Sequence, residues 1–135
     1  MKITSRLVGR HVVEVERSEH DWFFRLGDYL LLRVSCPWRI VVDGRIAHGD
    51  EDDAQKFGLP ETVHGAERSY SLLAGKSIEG VAIRDDTGDI VLTFENHTQL
   101  EILNTSSGYE AWQFDDGKGW GAVAMGGGEV SIWRD

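Results

Sequence analysis

The densest chemistry in the chain is the run His48-Gly49-Asp50-Glu51-Asp52-Asp53. Carboxylate oxygens at this density suit a hard cation such as Ca²⁺, or a basic partner. The run lacks the complete calcium-loop pattern, and consecutive acids point in alternating directions unless a tight loop gathers them. Its plain reading is a solvated acidic loop or the start of a helix. The histidines, His11, His20, His48, His64 and His97, show neither the i, i+4 helical pair of a zinc protease nor the short spacing of a structural zinc site. His97 with Glu95 or Glu110 offers an acid–base pair on paper, yet histidines beside acids are common in turns. Cys36 is the single cysteine and precedes Pro37 in an apolar stretch, which reads as a packed thiol without a disulfide partner. These residues predict no metal site and no cofactor.

Ser106-Ser107-Gly108 and Gly126-Gly127-Gly128 have the composition of phosphate cradles. Neither opens a helix after a strand, the context that aims backbone N–H groups at a phosphate, so both read as strand connections. A Gly-x-Ser-x-Gly nucleophile elbow and a dinucleotide-binding glycine fingerprint do not occur. The expectation is a protein without catalytic machinery.

The formal net charge is −9 over 135 residues. Nucleic acid and an anionic membrane surface would both be repelled by such a field. The charge is lopsided: residues 1–48 carry eight Lys/Arg against six Asp/Glu, and residues 49–135 carry six against seventeen. A partner steered by charge is therefore basic and meets the second half, where Asp50, Glu51, Asp52, Asp53, Asp85, Asp86, Asp89, Asp115 and Asp116 form the candidate patch. The opening residues Met1–Arg6 lack the apolar run of a signal peptide, and no stretch approaches the ~20 apolar residues of a membrane helix, so the expected location is the cytoplasm.

Five Trp, five Phe and three Tyr with many Val, Ile and Leu favour half-buried strands, and 16 Gly against two Pro supply turns. The expected fold is all-β, mainly strands with one short connecting helix. It is a single domain over 1–135, built from two related antiparallel meander halves that form a sandwich or partly open barrel. The halves are 1–49 and 73–135, and the connector is 50–72. Leu7-Val8-Gly9-Arg10-His11-Val12 is echoed by Leu73-Ala74-Gly75-Lys76-Ser77-Ile78. Leu32 and Val34 fall against Leu100 and Ile102, and Trp38 and Ile40 pair with Trp112 and Phe114. Alternation places strands near 10–17, 21–26, 30–35, 38–43, 77–84, 90–95, 98–103, 110–114, 120–125 and 129–133. A short helix is expected over 66–74, ending before Gly75 and covering a sheet edge. The expected core is Phe24, Leu26, Leu32, Val34, Ile83, Leu92, Phe94, Leu100, Ile102 and Trp112.

One set of motifs runs through the second half: Leu73-Ala74-Gly75-Lys76-Ser77-Ile78, Leu92-Thr93-Phe94-Glu95-Asn96, Tyr109-Glu110-Ala111-Trp112, then Gly126-Gly127-Gly128 and Trp133. The set resembles a family of small uncharacterised bacterial β-rich proteins marked by Tyr-Glu-x-Trp and a C-terminal Gly-Gly…Trp motif. The chain departs from that pattern at Ile78, where the family has Val, and in lacking a Pro before the glycines. Some such proteins look like immunity proteins encoded beside bacterial toxins. With the acidity, the small size and the missing catalytic groups, the leading expectation is a non-enzymatic, immunity-type inhibitor covering a basic toxin. Two other readings stand beside it. One is a small-molecule pocket walled by Trp38, Tyr109 and Trp112 and oriented by Glu110 or Arg39. The other is a homodimeric structural module with a self-complementary surface, as against a monomer.

Overall fold

Ile90, Leu92 and Phe94 alternate with Val91 and Thr93, and in a strand successive side chains point to opposite faces, so one face of this segment is apolar. The computed structural model, which describes residues 2–27 and 29–134, buries that face completely. Opposite it, Thr98, Leu100 and Ile102 are buried in the same way, with Leu92 directly across from Leu100. Each fully buried Leu, Ile or Phe contributes about 1.5–3 kcal/mol relative to exposure. Asn96 and His97 turn the chain between them at φ 60° and 52°, a left-handed conformation that Asn tolerates.

The described residues form eleven strands and two α-helices. In chain order these are α1 (Lys2–Leu7), β1 (Glu14–Arg17), β2 (Trp22–Arg25), β3 (Leu31–Val34), β4 (Trp38–Val42), β5 (Arg45–Gly49), α2 (Gly65–Leu73), β6 (Ile78–Ile83), β7 (Ile90–Phe94), β8 (Thr98–Ile102), β9 (Trp112–Asp115), β10 (Gly121–Ala124) and β11 (Val130–Trp133). A 3₁₀ turn at Asp50–Asp52 follows β5. The strands make two antiparallel sheets in the orders β1-β2-β3-β9-β10-β11 and β5-β4-β8-β7-β6. The sheets pack as a sandwich with no closed barrel. Asp28, expected with Gly27 at the β2–β3 turn, lies outside the described residues.

The connectivity repeats. A helix leads into three consecutive strands of one sheet (β1-β2-β3, then β6-β7-β8), after which the chain crosses and pairs with the third strand of the other half: β4 with β8, β9 with β3. Each sheet is therefore completed by strands from the other half. The first crossing takes only Ser35-Cys36-Pro37, where proline removes a ladder donor and forces an extended residue before it. The second is the longer 103–111 loop, and the two crossings are tied by Ser35 N–H to Ala111 O (2.8 Å) and Leu103 N–H to Pro37 O (2.9 Å).

The helices close the sides. α2 packs on β1 and against β5, the edge strands of the two sheets on one side, and α1 packs on β6 on the other. Since α2 precedes β6 as α1 precedes β1, the helix expected within the 50–72 connector stands in the second copy where α1 stands in the first, and 50–64 remains as the link. Of the expected core residues, all but Ile83 are fully buried. Ile83 is half-buried, at the open flank between β6 and β11. Two elements were not expected from the sequence: α1, and β5, whose Arg45-Ile46-Ala47-His48-Gly49 has no apolar alternation and buries only a histidine.

Candidate functional site

Register fixes which loops meet. Val34 pairs with Trp22 and Trp112, Trp38 with Ile102, Arg39 with Gly49, and Ile83 with Ile90. The β1–β2 turn, both crossings, the 3₁₀ turn, the β6–β7 turn and the β10–β11 turn thus share one end of the sandwich, the crossover end. Asp115 pairs with Leu31, so the β9–β10 turn lies at the far end of the strands.

At the crossover end the 103–111 loop is locked. The Asn104 amide Nδ2 donates to Thr87 O (3.0 Å) and Met125 O (3.1 Å), and the buried Trp112 Nε1 donates to Gly88 O (2.8 Å). Ser106 Oγ accepts from the N–H groups of Gly108 (3.1 Å) and Tyr109 (2.9 Å). A Cβ at Gly126 would run into the backbone of Gly108, and one at Gly128 into the Asp86 carbonyl. The glycine run and the Tyr-Glu-x-Trp motif are therefore two parts of one interlock joining the β6–β7 turn, the 103–111 loop and the β10–β11 turn. Trp112 is its buried anchor and Tyr109, 82% exposed, its outward-facing end.

Beside this loop opens a cleft of about 840 Å³ lined by His20, Asp21, Arg33, Cys36, Tyr109 and Glu110 among others. A second depression continues from it, sharing His20, Ser35, Cys36 and Pro37 and adding Arg17, Asp50, Glu51 and Asp53. One cation from each is engaged: Arg17 of the second depression with Asp53 (2.6 Å), and Arg33 of the cleft with Glu110 (3.6 Å) and Gln113 (3.0 Å). Asp21, Asp50 and Glu51 leave an acidic surplus. Burial raises the Asp50 carboxyl above its ordinary value. Burial, with Asp50 and Asp89 nearby, pushes the Cys36 thiol up to about 12, which favours the neutral thiol as a wall of the cleft.

The nine candidate acids divide. Asp50, Glu51, Asp52, Asp53, Asp85, Asp86 and Asp89 belong to loops of the crossover end, and Asp115 and Asp116 stand at the other. Most are occupied by the fold. Asp52 accepts Gly49 N–H (2.9 Å), and Asp53 accepts Gly65 N–H (2.7 Å) at the start of α2. Asp53 is desolvated, which opposes ionisation, but the Gly65 and Arg17 hydrogen bonds hold its carboxyl below the ordinary value. Asp86 is gripped by both Nε and Nη2 of Arg84 (3.0 and 2.8 Å), and Asp89 accepts Asn104 N–H (2.8 Å). Asp115 accepts Gly117 N–H (2.7 Å), and Asp116 accepts the N–H groups of Lys118 (2.7 Å) and Trp120 (3.1 Å) beside Arg6. Glu51 and Asp85 have no such partner among the described residues.

The alternative pocket residues do not share one cavity. Trp38 and Trp112 are core residues, 2% and 1% exposed, and Arg39 pairs with Glu101 at 2.6 Å on the outer face of β4. Only Tyr109 and Glu110 line the cleft. Among the described residues no three His, Cys, Asp or Glu side chains are placed to hold a metal. His48, which stands in the sequence beside the acids, is buried with neither ring nitrogen hydrogen-bonded among the described residues, Nδ1 lying 3.8 Å from Asp52.

The fold and cleft define a two-sheet β-sandwich with an acidic, tyrosine-bearing crossover end. A family model described as a family of unknown function (DUF6188) matches residues 3–134, and the chain belongs to that family. No curated protein and no solved structure matches it. Among the described residues no helix is long and apolar enough to cross a membrane.

Proposed function

We propose that the protein is a non-enzymatic binding protein whose crossover end receives a basic protein partner, as an immunity-type inhibitor covers its toxin. The observation that carries this reading is Tyr109. A large amphipathic ring is held 82% exposed on a loop pinned to two turns, beside a cleft with an acidic surplus. Rigid exposed aromatics are the usual anchors of protein interfaces, because they bring contact area at low entropic cost. The surrounding carboxylates add long-range steering toward a positive surface.

The test is affinity capture from native lysate with three baits. Wild type retains a basic protein, Tyr109→Ala combined with Glu51→Lys loses it, and Asp43→Lys, a charge reversal at the exposed β4–β5 turn of the opposite end, keeps it. Retention by all three baits, or an acidic protein as the retained species, would refute the proposal.

A further inference from the structure

Little holds β5 to the sandwich. It is an edge strand, and its ladder to β4 is interrupted: Ile40 pairs with His48 and Val41 with Ile46, which leaves Ala47 as a bulge. α2 adds one exposed bond, from Arg68 Nη2 to Ala47 O (3.2 Å). From Val41 to His64 only His48 and Val63 are buried, and His48 is the sole buried residue of β5. Segments with so few apolar contacts open more readily than the core.

The side chain that fastens β5 is an ill-suited one. His48 is 1% exposed, its ring centre 5.7 Å from that of Trp38, and His48 Nδ1, His48 Nε2 and Trp38 Nε1 have no hydrogen-bond partner among the described residues. Buried polar groups left unpaired cost stability, and a buried charge costs more. The charged groups facing His48 come from three elements. Asp52 in the 3₁₀ turn (3.8 Å) and Asp53 after it attract an imidazolium, and Arg68 of α2 repels one. Both carboxylates are already engaged, Asp52 by Gly49 N–H and Asp53 by Arg17 and Gly65 N–H. On this face β4 presents Trp38 and Ile40, while Arg39 pairs with Glu101 on the other. Burial outweighs the two carboxylates and lowers the His48 pKa. The ends of the segment are fixed. Before β5, Asp43 N–H donates to His97 O (3.0 Å) beside Gly44, which has open space around it. After the 3₁₀ turn, Asp53 is tied to β1 through Arg17 and to α2 through Gly65.

We infer that residues 45–52, β5 with the 3₁₀ turn, form an acid-released flap: neutral His48 latches it to the core, and the protonated ring leaves the core and frees the flap while the rest of the sandwich stays folded. One proton is taken from solvent by the imidazole as the flap opens. The open flap carries a histidine of ordinary value near 6.5 and the closed one refuses the proton, so opening is favoured as pH falls below about 6.5. Asp50 and Glu51 ride on the flap, so acid also removes that wall of the second depression. The flap itself does not depend on the partner proposed above.

The test is hydrogen–deuterium exchange of the full chain, read by mass spectrometry as protection factors corrected for the intrinsic pH dependence of exchange. Residues 45–52 should be less protected than 90–102 of β7 and β8. Their protection should fall about tenfold between pH 7.5 and pH 5.5, because the open population grows with protonation of a group near 6.5. At pH 5.5 low urea should leave their exchange nearly unchanged, since a local opening exposes little surface. His48→Phe should remove the pH response, and His64→Gln, at an exposed ring outside the flap, should keep it. The inference is overturned if 45–52 are as protected as 90–102 at both pH values, since the flap would then open only with the whole molecule. It is likewise overturned if their protection does not change with pH, if His48→Phe keeps the response, or if His64→Gln abolishes it. Should His48→Phe fail to fold, the wild-type profiles and His64→Gln decide.

Discussion

Tyr109 and Tyr29 stand at opposite ends of the strands, 82% and 67% exposed, and differ in what already occupies them. Lys118 Nζ lies 4.3 Å from the centre of the Tyr29 ring, so that ring is engaged by a cation of the same molecule. The carboxylates of its end, Asp115 and Asp116, are likewise spent on turn N–H groups and Arg6. At the crossover end the interlock of the 103–111 loop holds Tyr109 outward with its ring free, and Glu51 stays unpaired among the described residues. A count of acidic residues treats the two ends as equal. What distinguishes them is whether the charges and rings are already satisfied.

The largest expected effect separates the ends by their turns. Gly128, at φ 117° in the interlock, has no room for a Cβ, whereas Gly44, at φ 79° in the β4–β5 turn, has open space around it. Alanine in a left-handed conformation costs about 1–2 kcal/mol, and forcing atoms into a packed site adds about 1–3 more. Gly128→Ala should therefore lower stability by roughly 2–5 kcal/mol and Gly44→Ala by about 1–2 kcal/mol, read from denaturant midpoints. Equal losses would mean that the crossover end is no more tightly built than the other.

Much of this is legible in the sequence. The hairpins β2–β3 and β7–β8 announce themselves through alternation, and Leu7-x-Gly9 against Leu73-x-Gly75 announces the repeat, because a helix end followed by a left-handed glycine recurs there. The swap of β4 and β9 between sheets was not legible. A three-residue crossing looks like any turn, and only pairing shows that it changes sheet. β5 was missed because its buried residue is His48 instead of an aliphatic. Whether the acids converge on one surface was not legible either, for a different reason. Asp115 and Asp116 follow β9, which crosses into the first sheet, and their distance from Asp50 depends on that crossing.

A smaller effect concerns pH. Among the described residues each end buries a tryptophan whose Nε1 has no partner, Trp38 and Trp120, and the crossover end adds a buried titratable ring, His48. Desolvation lowers the His48 pKa in the folded state, outweighing Asp52 and Asp53, while Arg68 adds to the shift. The unfolded chain keeps a value near 6.5 and so binds a proton the folded state refuses. Stability is therefore complete above about pH 6.5 and declines as pH falls toward the folded-state value. Asp53, Asp86 and Asp116, whose values are lowered, add their losses only below about pH 4. Melting midpoints should fall between pH 7 and pH 5.5 in the wild type and stay flatter in His48→Phe. Identical profiles would remove His48 from the account.

The most direct test of the crossover end as the binding face places a photo-crosslinking phenylalanine analogue at position 109 or at position 29 in the living cell. Irradiation should join a basic protein to the chain carrying the probe at 109, with yield falling as ionic strength is raised in permeabilised cells, because screening shortens the reach of the acidic cleft. The probe at 29 should give no such product. Equal products from both positions, or none from 109 while position 132 on the open β6–β11 flank yields one, would contradict the account and move the functional face away from Tyr109.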